Sequence, residues 1–354
     1  MERINFRKIF LNEKVIVSMV SILVSLVVAA IVIIFIGKSP LVAYSALFYG
    51  AFGTKEAIID NLMKASPLIL TGLAVGFGFR AGLFNIGANG QVIMGALLAT
   101  YVGTQVEGDP FYLSIPLVIM AGMIGGALWA GIAGWLKAYR GAHEVITTIM
   151  LNYVAIYISN YVVNGPFQAP GGVPKSPAIA YAAQFPNIMT VGATSLSTIL
   201  FVSLAAVVVI YIIIQKTTIG YEVKAVGTNP YAAEYGGISI GKNVVLAMMI
   251  SGALAGLAGT TQVVGVYGRY FGALGGTMGF DGITIALIGQ NDPVGIALAA
   301  FLISSIRTGS NQMQIAGVPK DMVTIIQGII IFLVAANRIF KTMKFYRKRK
   351  EVEI

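Results

Sequence analysis

Two stretches of this chain set amides, acids and aromatics where an apolar run is broken. The first is Arg80-Ala81-Gly82-Leu83-Phe84-Asn85-Ile86-Gly87-Ala88-Asn89-Gly90-Gln91. Asn85, Asn89 and Gln91 offer donors and acceptors to an uncharged polar solute, and Phe84 offers a stacking face. The same amides could instead serve only to satisfy the backbone groups that such a break exposes. The second stretch is Gly279-Phe280-Asp281-Gly282, followed by Gln290-Asn291-Asp292-Pro293. Asp281 is an acid beside an apolar run, which is a functional position by default, or else the N-cap of the helix that follows.

A third segment carries docking signals rather than chemistry. Between Gln215 and Asn243, the order Asn229-Pro230-Tyr231-Ala232-Ala233-Glu234-Tyr235-Gly236-Gly237-Ile238 predicts a short helix capped by Asn229, begun at Pro230 and stopped by Gly236 and Gly237. Beside it, Gly236 to Lys242 fits the spacing of a phosphate-binding loop, but Asn243 stands where Ser or Thr is required and no strand is expected before it. Nucleotide binding by this chain is therefore not expected. His143 is the one histidine and there is no cysteine, so no metal or cofactor site is expected, and Glu144 reads as a helix-start residue favoured by the dipole.

The elements that must hold these segments are set by composition. Over 354 residues, 57% are hydrophobic and 11% charged, with mean hydropathy +0.83 and 42 glycines. A soluble domain carries about 25% charged residues, so the expectation is an all-α membrane protein whose helices approach closely at glycine. Val15 to Ile36 holds no charge and, at 1.5 Å per residue, spans about 30 Å of hydrocarbon. Further apolar segments run over about 62–79, 90–106, 111–136, 145–163, 194–215, 243–267 and 322–337. Gly279 to Ser305 is broken, and is either two short helices or a re-entrant pair.

Most of the 24 Lys and Arg residues fall in segments that share a side if both termini are cytoplasmic. That parity predicts ten transmembrane helices, or eight plus the re-entrant pair. The blocks 62–163 and 243–337 then run in opposite senses, as an inverted repeat requires. The chain divides into a cytoplasmic arm 1–14, a membrane domain 15–337 and a basic cytoplasmic tail 338–354. The net charge of +10 reads as topology, with no nucleic-acid partner. Scarce acids inside the spans argue against a stand-alone gradient-driven carrier, and the lack of a clustered acid pair, paired His or Cys argues against a membrane enzyme.

Phe84-Asn85-Ile86-Gly87-Ala88-Asn89-Gly90-Gln91 resembles the FNIGxEGQ signature of permease subunits of ABC importers for simple sugars and nucleosides. Glu144-Val145-Ile146-Thr147-Thr148-Ile149-Met150-Leu151-Asn152-Tyr153 is similar to the EVIxTIMLN segment of the nucleoside branch. Ala225-Val226-Gly227-Thr228-Asn229-Pro230 through Gly236-Gly237-Ile238 resembles the family's ATPase-coupling loop, and Gly279-Phe280-Asp281-Gly282-Ile283 its second characteristic block. The likeness covers roughly residues 55 to 337, and Asn89 stands where the family usually has Glu.

This resemblance implies alternating access in a bacterial cell membrane. Phe84, Asn85, Gly87, Asn89, Gln91, Phe280 and Asp281 would border the solute path. Gly227, Asn229, Pro230, Ala232, Glu234, Gly236 and Ile238 would form the coupling surface. The implied partners are a cytoplasmic ABC ATPase, a second related permease, a lipid-anchored or periplasmic substrate-binding protein, and membrane lipid. A nucleoside is the expected solute, with ribose or another simple sugar, or a branched-chain amino acid, as alternatives.

Overall fold

In a computed structural model, the described residues are 13–272, 274, 276–319, 321–322, 324–330 and 332–333. The tail 338–354, most of the arm 1–14 and the end of the expected 322–337 span lie outside them. The helices are α1 (Glu13–Phe35), α2 (Pro40–Phe52), α3 (Lys55–Arg80), α4 (Ala88–Gln105), α5 (Phe111–Arg140), α6 (Glu144–Asn164), α7 (Ile199–Lys216), α8 (Thr218–Thr228), α9 (Pro230–Tyr235), α10 (Ile240–Gln262), α11 (Met278–Ile288) and α12 (Pro293–Ile315). A π-helical turn, Val263–Tyr267, extends α10. Helical residues recur at 321–322, 324–330 and 332–333. Apart from a small antiparallel hairpin of β1 (Asn187–Val191) and β2 (Thr194–Ser197), the regular structure among the described residues is helical, and the protein is of the all-α class. Among the described residues, six helices, α3, α5, α6, α7, α10 with its π-turn, and α12, are long and apolar enough to cross a bilayer, which makes the chain a multi-pass membrane protein.

Several boundaries depart from the hydrophobic pattern. α3 begins at Lys55 because the Thr54 side chain accepts from Ala57 N, so a capped polar turn precedes the apolar run. The apolar stretch from 194 opens as strand β2, and its helix starts only at Ile199. α2 and α8 were not expected. α2 is a 13-residue helix begun by Pro40, too short to stand out as a span. The region 279–305 forms two helices: α11 is half-length with 11 residues, and α12 runs past Ser305 to Ile315.

The helices divide into a centre and a rim. In the best apolar window, α3 is 78% buried and α10 with its π-turn 72%, whereas α5 and α6 are 28% and 22% buried. The two central helices exchange partners. α3, from the first block, packs on α11 and α12 of the second, and α10, from the second, packs on α4 and α5 of the first. This crossed packing is the arrangement expected of two inverted blocks.

Glycine makes the centre possible. Gly252 and Gly256 of α10 face Gly122 and Gly126 of α5, and Gly95 of α4 faces Gly256, so that a Cβ at any of these positions would overlap the opposing helix. Helix association in lipid gains little from hydrophobicity and relies on this kind of close backbone packing.

Candidate functional site

The first broken segment lies between α3 and α4. Gly82 takes φ +72°, a left-handed turn open to glycine. Asn85 then anchors the segment from inside. It is fully buried, its Nδ2 donates to Gln91 Oε1 at 2.9 Å and Ser251 Oγ at 2.8 Å, and its Oδ1 accepts from Gly87 N at 2.9 Å and Gln91 Nε2 at 3.0 Å. Ser251 passes the connection on by donating to Ala74 O at 2.6 Å. Asn152 of α6, which the sequence offered only within a matching motif, holds the segment from the other side: its Oδ1 accepts from Gly90 N at 2.7 Å and its Nδ2 donates to Ile86 O at 3.0 Å. Of the two roles open to these amides, satisfying the broken backbone is the one that Asn85 visibly performs at Gly87 N, while Gln91 braces the Asn85 side chain. Phe84 is different. It is 40% exposed and its ring lies 5.0 Å from that of Phe79.

The second broken segment meets the first head on. Gly279, in the first turn of α11, packs so closely on Asn89, in the first turn of α4, that a Cβ there would overlap the Asn89 backbone; its N–H points to Asn89 Oδ1 at 3.4 Å. Two helix N-termini therefore converge inside the protein. Phe280 beside them is 45% exposed.

Asp281 is not the N-cap of α11. Thr277 holds that position, and Asp281 pairs with Arg307 Nη2 at 2.5 Å while accepting from Thr277 Oγ1 at 3.1 Å. Arg307 lies within α12, where an unpaired charge would be costly and a carboxylate partner offsets it. Glu144 sits in the first turn of α6, as expected, and also pairs with Lys137 at 2.8 Å.

The connection between α7 and α10 is more ordered than the single short helix expected. α8 precedes α9, capped by Thr217. α9 has the predicted limits: Asn229 Oδ1 accepts from Ala232 N at 3.1 Å, Pro230 opens the helix, and Gly236 and Gly237 (φ +82°) close it. Pro230, Ala232, Glu234 and Gly236 are exposed, as are Tyr231 and Tyr235, Ile238 is half-buried, and Ala233 turns inward. Lys242 falls in the first turn of α10 with no strand before it.

Gly227, near the end of α8, is seated on the backbone of Arg80, Ala81 and Gly82, and a Cβ at 227 would overlap the Arg80 carbonyl. The α8–α9 surface therefore touches the first broken segment directly. Lys224 lies one turn earlier, and burial, then the like charge of Arg80, holds its ammonium below the usual lysine range.

A polytopic helical bundle with two broken segments meeting at its centre, and a capped helical connection at one end, defines a transport protein of the permease class. Residues 57–335 match the family described as the permease component of branched-chain amino acid transport systems, and the chain belongs to that family. It is 38% identical to the guanosine ABC transporter permease protein NupP of Bacillus subtilis, over 94% of this chain and 97% of NupP. The nucleoside ABC transporter permease protein NupB of Lactococcus lactis is 37% identical over 94% of this chain and 93% of NupB. The glucose ABC transporter permease protein TsgB13 of Haloferax volcanii is 35% identical over 91% of this chain and 87% of its own length. No solved structure matches the sequence.

Proposed function

We propose that the chain is a permease subunit of an ATP-driven ABC importer for nucleosides. The observation that carries this reading is near-full-length identity to permeases named for guanosine and for nucleosides. The geometry supports it. Phe84 and Phe280 keep exposed rings at the two broken segments, where a planar base can stack, and Asp281, held by Arg307 and Thr277, fixes the turn that carries Phe280. Asn85, Gly87, Asn89 and Gln91 hold the segment that presents them. In this reading α8 and α9 face the cytoplasm within the coupling loop 215–243. Asn229, Pro230, Ala232, Glu234, Gly236 and Ile238 form the surface on which a separate ATPase rests, Gly227 seats that surface on the end of α3, and both termini are cytoplasmic. A second, related permease completes the path, and a substrate-binding protein delivers the solute from outside.

The test is uptake of labelled guanosine, other nucleosides, glucose and leucine in cells lacking this chain and in cells with it restored. Restoration of nucleoside uptake alone is the expected result. Restoration of glucose uptake alone would favour a sugar permease, the reading to which the 35% identical glucose relative points. Phe84→Ala and Phe280→Ala should each raise the half-saturating nucleoside concentration about fivefold while the complex still assembles, since loss of stacking is worth about 1 kcal/mol per ring. Unchanged uptake in both variants would remove them from the path.

A further inference from the structure

The broken segments are tied together at the α8 end as well as at the centre. Arg80, the last residue of α3, donates from Nε to the carbonyl of Asn291 at 2.8 Å. Asn291 lies in the elbow between α11 and α12, where Gln290 and Asn291 take φ +54° and +58°, a left-handed conformation that side chains other than glycine adopt at a cost. The elbow is close-packed, because a Cβ on Gly289 would lie 2.5 Å from Ile296 N. Asp292 at its end caps α12 by accepting from Val294 N and Gly295 N. The backbone at Arg80 and Gly82 is in turn the seat of Gly227 on α8. An unbroken line of contact therefore runs from α8 through Gly227 to the Arg80 backbone, and through the Arg80 side chain to the elbow. From there α11 leads back to Phe280, and residues 81–84 lead to Phe84.

We propose that Arg80 is a positioning residue that carries a displacement of α8 to the α11–α12 elbow, so that the two broken segments move together. Arginine suits this role: its planar guanidinium fixes the direction of the Nε–H, whereas a lysine ammonium keeps the charge on a flexible stem. The proposal rests on the assignment of α8 and α9 as the ATPase-facing surface.

The chain has no cysteine, so a single Gln290→Cys reports on the elbow. The experiment compares maleimide labelling of that thiol in the purified transporter complex, nucleotide-free and vanadate-trapped, with Arg80 intact and in Arg80→Ala and Arg80→Lys. Trapping should change the labelling rate at least threefold with Arg80 intact and leave it unchanged in Arg80→Ala. Arg80→Lys should fall between, and ATP hydrolysis should stay within twofold in all three. The same trapping response in Arg80→Ala would overturn the proposal, as would no response with Arg80 intact. Failure of both Arg80 variants to assemble would make Arg80 a folding residue and overturn it too. The readout does not involve the solute, so a failure of the nucleoside assignment leaves it standing, and loss of ATPase association in Glu234→Arg with Arg80 intact would separately identify the docking surface.

Discussion

Asn85 uses its whole hydrogen-bonding capacity on the protein, and this decides how its replacement should behave. Asn85→Ala strands the Gln91 amide and the Gly87 N–H, and each buried group left unpaired costs about 1–3 kcal/mol. The expected result is a lower melting temperature of the purified transporter with little change in half-saturating solute concentration, measured by thermal denaturation and uptake side by side. Asp281 should respond differently. Asp281→Ala leaves Arg307 charged and unpaired within α12, at a cost of about 1–3 kcal/mol because its side chain stays partly exposed. Asp281→Asn with Arg307→Gln should recover most of that loss, and the same melting experiment checks it. The sequence marked Asn85, Gln91 and Asp281 because polar types stand out against apolar neighbours. Arg307 escaped notice because its partner lies 26 residues earlier on another helix, and a charge near the end of an apolar run is indistinguishable from one at the membrane surface.

Among the elements, α9 was legible and α8 was not, for a physical reason. The limits of α9 depend on local chemistry, an Asn cap, a proline and two glycines, all readable in order. α8 has a threonine cap, but its fixed position comes from Gly227 resting on α3, a contact between residues far apart in the chain. Gly227→Val and Glu234→Ala should each uncouple ATP hydrolysis from uptake without affecting membrane insertion; normal uptake in both would overturn the coupling assignment. The glycines between α4, α5 and α10 make a harsher prediction. Gly256→Leu must push α10 away from the Gly122 and Gly126 backbone, so the protein should fail to accumulate in the membrane, as immunoblotting of membrane fractions would show. Their number was plain from composition, but which of the 42 lie at helix crossings depends on partners that composition does not name.

For the molecule as a whole, composition and the spacing of apolar runs were enough to indicate an all-α membrane protein, because the bilayer allows few other solutions. The crossed packing of α3 and α10 was legible only as opposed orientations of two blocks. A consequence can be tested by dividing the chain at Gly171 and Gly172, an exposed turn where both residues have positive φ and nothing crowds them. Fragments co-expressed from that cut should reassemble and support uptake, whereas the first fragment alone should be degraded, since α3 then lacks α11 and α12. Accumulation of a stable first fragment would show that α3 needs no partner from the second block.

The same exchange sets a schedule for synthesis. Asn61 on α3 donates to Ser305 on α12, a partner 244 residues later in the chain. At about 5–20 residues per second, on the order of ten to fifty seconds separate the appearance of these two groups at the ribosome. Through that interval the helix destined for the centre has only early neighbours, and its buried amide has no permanent bond. A nascent chain with this topology has to be sheltered until its last third emerges, which makes the insertion machinery, and not only the finished bundle, a determinant of how much transporter a cell obtains.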